Sequence, residues 1–129
     1  MVALAAARRT AEEVARLREI CRQMRAGGNT AKEMAELDFS LHVTLAEATQ
    51  NDLFKVLLAP LIHQLRDHIV LTWEDFPRPV EQVFDQHEAI VSAVENGDAD
   101  GARQAMMKHL MFSREVLEDI SKAQKDKQS

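Results

Sequence analysis

Apolar residues recur along this chain at intervals of three and four, the period of a helix with one buried face. No stretch alternates as a strand would. The clearest run is Glu36–Leu45, where Leu37, Leu41 and Leu45 mark one stripe. Before it, Val14, Leu17, Ile20 or Cys21, and Met24 mark another. That helix opens at Thr10 with Glu13 three residues later, a pairing that satisfies two amides left over at a helix start. It closes at Gly27-Gly28. Asn29 or Thr30 is expected to cap the helix that holds Leu37, which runs to about Thr49. Asp52 begins a further candidate through Leu53, Val56, Leu57, Leu61, Leu65 and Ile69, with Pro60 expected to kink it. Trp73–Pro79, with two prolines, reads as a loop. Val80, Val83, Phe84, His87, Ile90 or Val91, and Val94 define the next helix, stopped at Asn96-Gly97. Asp98 caps the last, with Ala102, Ala105, Met106, His109, Leu110, Phe112, Val116 and Ile120 on its inward face. The polar tail from Lys122 to Ser129 is expected to fray. At the other end, Val2–Arg9 favours helix but lacks a cap, as in the last turns of a helix whose beginning is missing. The fold class predicted is all-α: an antiparallel helical bundle, one domain over residues 1–129.

Composition narrows the function more than the fold. A chain of 129 residues, 46% hydrophobic and 29% charged, can bury a core without staples. Its net charge of −5, with no basic stripe, argues against nucleic-acid binding by these residues. The single cysteine, Cys21, excludes an internal disulfide and any Cys-rich zinc motif, in keeping with a reducing compartment. No apolar run approaches the roughly 18 residues of a membrane span, and no cleavage pattern follows the Ala-rich start. A cytoplasmic protein without membrane contact is expected.

The candidate chemistry lies in the histidines. Asp38 and His42, four residues apart, stand one above the other beside the Leu37–Leu41–Leu45 stripe. Alone, they read as a hydrogen-bonded pair at a helix surface. His87 and His109 fall on the apolar faces of two other helices, where each by itself reads as a satisfied core histidine. Inward ionisable groups are costly unless paired or ligated, and one shared metal would account for all four. Three nitrogens and one oxygen suit a borderline divalent ion; zinc, nickel, manganese and iron are not distinguished. His63 and His68, five apart, share no face and read as surface or supporting positions. A guanidinium for a carboxylate ligand could come from Arg8 or Arg9, Arg66 or Arg103, each otherwise a solvated charge. Asn51 reads first as a turn residue. Met106, Met107 and Met111 read as core and interface filler.

In order along the chain stand Ala5–Arg8, Asp38-Phe39-Ser40-Leu41-His42, Ala48-Thr49-Gln50-Asn51, His87–Val94, Asn96-Gly97-Asp98, Ala102 and Met107-Lys108-His109-Leu110. This series resembles the FadR C-terminal (FCD) domain, the effector-binding module of GntR-family bacterial transcription regulators, over nearly the whole chain. The resemblance implies the FCD bundle with its first helix truncated, and no winged helix-turn-helix domain within these residues. In the metal-binding branch of that family an Asp and three His hold a divalent ion, roles that carry over to Asp38, His42, His87 and His109. It further implies a small carboxylate effector, with Arg8, Arg66 and Asn51 as candidate contacts, a homodimer, and DNA binding only through a separate domain. Two alternatives stand beside it. One is a metal-dependent hydrolase or oxygenase with a His3Asp centre, for which no positioned base is evident. The other is a metal-free helical interaction module.

Overall fold

The computed structural model describes residues 1–52, 56, 60, 73 and 80–128. Among them lie five helices and no strand: α1 (Val2–Arg8), α2 (Ala11–Ala26), α3 (Ala31–Ala48), α4 (Val80–Glu95) and α5 (Ala99–Gln128). The all-α bundle is thus as the periodicity predicts. The candidate helix Leu53–Ile69, with His63, Arg66 and His68, and the stretch 74–79 fall outside the described residues, apart from the helical positions Asp52, Val56 and Pro60.

Local chemistry sets most boundaries. Thr10 Oγ1 accepts from the Glu13 amide while the Glu13 carboxylate accepts from the Thr10 amide. Thr30 and Glu33 repeat the arrangement for α3, which decides between Asn29 and Thr30. Gly27 ends α2 at φ 81°, and Gly97 turns the chain after α4 at φ 69°, a left-handed conformation costly for any residue with a Cβ. Asp98 Oδ1 accepts from the Gly101 amide at 2.9 Å and caps α5. Contrary to the expected fraying, α5 stays helical to Gln128.

Two short connections fold α3 back along α2 and α5 back along α4, and α2 packs on α4 as well. The short α1 buries Val2, Ala5 and Ala6 against α3, α4 and α5. Its two arginines fasten it there. Arg8 donates to the Thr49 carbonyl at the end of α3, and Arg9 to the Glu95 carbonyl at the end of α4. Both cations sit where helix C-termini leave carbonyls unpaired and carry partial negative charge. Leu17, Leu41, Leu45, Ile90, Val91, Val94 and Ala102 fill the main core. A smaller cluster of Met24, Met34 and Phe84 receives Trp73 on its flank. The candidate chemistry stands beside that smaller cluster. One expectation about faces needs correction: Leu110 does not face inward but is 52% exposed. Of the three methionines of α5 read as core and interface filler, Met106 is buried and Met107 and Met111 are exposed.

Candidate metal centre

Asp38 lies in the buried stripe of α3 with Leu41 and Leu45, and His42, one turn on, is half-buried, so packing that face carries a carboxylate inward and an imidazole part of the way. On α4 the buried positions are Val83, Phe84, Gln86, His87, Ile90, Val91 and Val94. On α5, Ala102, Met106 and His109 share the inward face. Three helices therefore bring four donors together. His87 is 1% exposed and His109 4%, while Asp38 is buried and His42 half-buried.

Asp38 is the vertex. Its Oδ1 lies 3.3 Å from His42 Nε2 and 3.5 Å from His87 Nε2. His109 stands edge-on to His87, ring centroids 4.7 Å apart, and stacked on His42 at 6.2 Å. Asp38 Oδ2 accepts a hydrogen bond from Trp73 Nε1 at 3.2 Å. Asp38 Oδ1, though buried, completes no hydrogen bond. Burial by itself would push the Asp38 carboxyl up. Contact with His42, and then the charge of His87, His42 and His109, outweigh that and hold it well below the usual carboxylate range. The group is a buried anion among three imidazoles.

These separations bear on what the cluster can hold. N–H···O bonds centre near 2.9–3.0 Å, and 3.3–3.5 Å is long for one. Two donors at about 2.0–2.2 Å from one tetrahedral ion stand roughly 3.3–3.6 Å apart, the spacing found between Asp38 Oδ1 and both Nε2 atoms. Among the described residues no group of three or more His, Cys, Asp or Glu side chains is placed so that it could hold a metal ion. The arrangement is an open fan instead, with Asp38, His42 and His87 meeting at Oδ1 and His109 joined through its rings. In donor type, though not in placement, the set matches what a divalent cation takes: a buried carboxylate oxygen and imidazole lone pairs.

Two partners are absent from the sequence-based expectation. Gln86 is buried, and its Oε1 lies 2.8 Å from His109 Nδ1. The spacing of Val83, Gln86, His87 and Ile90 put it within the apolar stripe of α4, a signal that was there to read. Trp73, expected in a loop, is helical and half-buried, and no local pattern ties it to Asp38. Of the candidate effector contacts, Arg66 lies outside the described residues. Arg8 and Asn51 sit at the end of α3, about two turns beyond His42, with Arg8 engaged by Thr49 and the Asn51 amide near Thr49 Oγ1 at 3.3 Å. Arg103 is exposed and pairs with Asp100 on its own helix. It lines, with Gln82, Gln86, Lys108, Met111 and Phe112, an open groove of about 560 Å³ between α4 and α5.

Residues 1–112 match the family model described as FCD domain. The chain is 28% identical over 121 residues to the HTH-type transcriptional regulator LutR of Bacillus subtilis (strain 168), covering 91% of this chain and 55% of LutR. It is 33% identical over 98 residues to an Escherichia coli (strain K12) protein provisionally named as the L-lactate dehydrogenase operon regulatory protein, covering 70% and 36%. With the galactonate operon transcriptional repressor of the same organism it shares 23% over 117 residues, covering 91% and 51%. The chain thus spans about half or less of these relatives. They are transcription regulators and not enzymes, which sets aside the hydrolase or oxygenase alternative. Among the described residues no helix is long and apolar enough to cross a membrane.

Proposed function

The chain belongs to the FCD domain family, the ligand-sensing part of GntR-type regulators, and from that premise we propose a metal-dependent sensor of small hydroxycarboxylates. Asp38, His42, His87 and His109 would hold one divalent ion. When bound, it supplies a Lewis-acidic point to which ligand oxygens attach. The observation that carries this reading is Asp38 Oδ1: buried, without a hydrogen bond, and placed between two imidazole nitrogens at ligand-to-ligand spacing. The ligand class draws on two relatives, whose names tie them to operons of lactate and galactonate. Both are hydroxy acids, able to offer a carboxylate and a hydroxyl oxygen to one ion.

The protein's own part is to position and to exclude water. Trp73 orients the carboxylate, and α3, α4 and α5 each contribute a donor, so that the ion would tie three helices together. Ligand binding at such a tie would bias how those helices pack, and in a longer protein that bias would reach a DNA-binding domain. The partner in a dimer would be a second copy of this chain, with the exposed α5 residues Met107, Leu110 and Met111 as the contact.

Elemental analysis, melting and calorimetry test the reading together. About one zinc, nickel, manganese or iron per chain is expected, lost in a His87→Ala, His109→Ala variant. A chelator should lower the melting temperature, because an ion at 100 times its Kd adds about 2.7 kcal/mol. L-lactate or D-galactonate should bind the loaded chain and not the stripped one. Equal melting with and without chelator, in a chain that takes up no metal on reloading, would sink the proposal.

A further inference from the structure

We propose that Gln86 is a positioning residue of the metal centre, and that its carboxamide oxygen selects which nitrogen His109 offers to the ion. This inference rests on the metal reading above. An amide oxygen can only accept, so at 2.8 Å from Gln86 Oε1 the His109 Nδ1 carries the proton. The lone pair is thereby left on Nε2. His42 and His87 also bring Nε2 atoms nearest Asp38 Oδ1. With His109 held in the Nδ1–H form, all three rings present the same atom.

The selection matters because a free neutral imidazole exchanges between two tautomers, and only one suits a given ring placement. Burying the acceptor fixes the choice: Gln86 is 6% exposed, so water does not readily replace it. Metal-bound histidines commonly donate their other N–H to a carboxylate or carbonyl, and losing that partner typically costs 10–100-fold in metal affinity. Gln86 also lines the groove between α4 and α5. A residue that merely filled core volume would not need an amide at this position. Leucine would serve there at lower desolvation cost.

Two measurements on the whole chain test the assignment. In the metal-free parent, nitrogen-15 correlation spectra of the imidazoles should show His109 as the Nδ1–H tautomer; the Nε2–H tautomer there overturns the proposal without any variant. Zinc titration then compares the parent with Gln86→Leu and Gln86→Glu, each first shown by circular dichroism to be folded. Gln86→Leu should weaken zinc binding 10–100-fold, and Gln86→Glu, which keeps an acceptor, should restore most of it. Equal zinc affinity in the parent and Gln86→Leu overturns the inference while leaving the metal site standing. A parent that binds no zinc, by contrast, removes the metal reading itself, whatever the tautomer.

Discussion

The indole N–H of Trp73 donates to Oδ2 of Asp38 at 3.2 Å, which leaves Oδ1 of the same carboxylate facing His42 and His87. One oxygen is held by a rigid neutral donor and the other faces two imidazole nitrogens. The chain has a single tryptophan, so the residue that orients the candidate ligand is also its only indole reporter. Nickel added to the metal-free chain is expected to quench Trp73 emission with a saturable midpoint. Asp38→Asn keeps an acceptor for the indole but removes the anionic oxygen. It should weaken binding by more than the 10–100-fold typical of a supporting partner and abolish the response. Quenching of equal depth and midpoint in Asp38→Asn would falsify the assignment of Asp38 as a ligand.

Gly97 combines two constraints. It sits at φ 69°, and a Cβ built there would lie 3.2 Å from Arg9 Nη2, the arginine that caps α4. Gly27 has a similar φ of 81° with nothing within 4 Å. Gly27→Ala should cost about 1 kcal/mol from backbone strain alone. Gly97→Ala should cost more, roughly 1–2 kcal/mol, because the Arg9 contact must also shift. Urea unfolding of both variants reads the difference. Equal losses would mean that Arg9 yields freely and that its cap contributes little.

Cys21 gives the alkaline side of the stability profile. Burial above all, with the nearby Glu88 charge, pushes its thiol up to about 11, while Arg18 and Arg25 partly oppose this. An acid whose pKa is raised on folding keeps its proton longer in the native chain than in the unfolded one. Stability from this group is therefore full below the ordinary thiol range near 8.5 and declines as pH rises toward about 11. Cys21→Ala should flatten that part of the profile. At about pH 8 a thiol reagent should label the native chain far more slowly than the denatured one. Fast native labelling would show that the thiol is not held neutral by burial.

The outer face of α5 bears on assembly. Arg103, Met107, Leu110, Met111, Arg114 and Glu118 follow helical spacing on one exposed stripe. Pairing α5 antiparallel with itself, about an axis between Leu110 and Met111, sets Arg103 opposite the partner's Glu118. Apolar centre and opposite charges then agree with one register. Sedimentation should show a dimer that Met107→Lys with Met111→Lys converts to monomer. Arg103→Glu should weaken it, and adding Glu118→Arg should restore it. A parent chain that sediments as monomer at high micromolar concentration rules the pairing out.

What the sequence determined by itself is everything whose cause lies within one turn. Thr10 with Glu13, Thr30 with Glu33, and Asp98 mark helix starts because a side chain reaches an amide three residues on. Gly27 and Gly97 mark ends because only glycine takes that φ cheaply. Asp38 and His42 were legible as a pair because four residues close one helical turn. The tertiary structure decided which distant groups meet. His87 and His109 join Asp38 only because α3, α4 and α5 converge, and Gln86 and Trp73 acquire their partners in the same way. Arg8 and Arg9 become caps on other helices, and Leu110 faces outward although its spacing matches the inward stripe. Helical periodicity says which residues share a face; only the placement of the neighbouring helices says which face is covered.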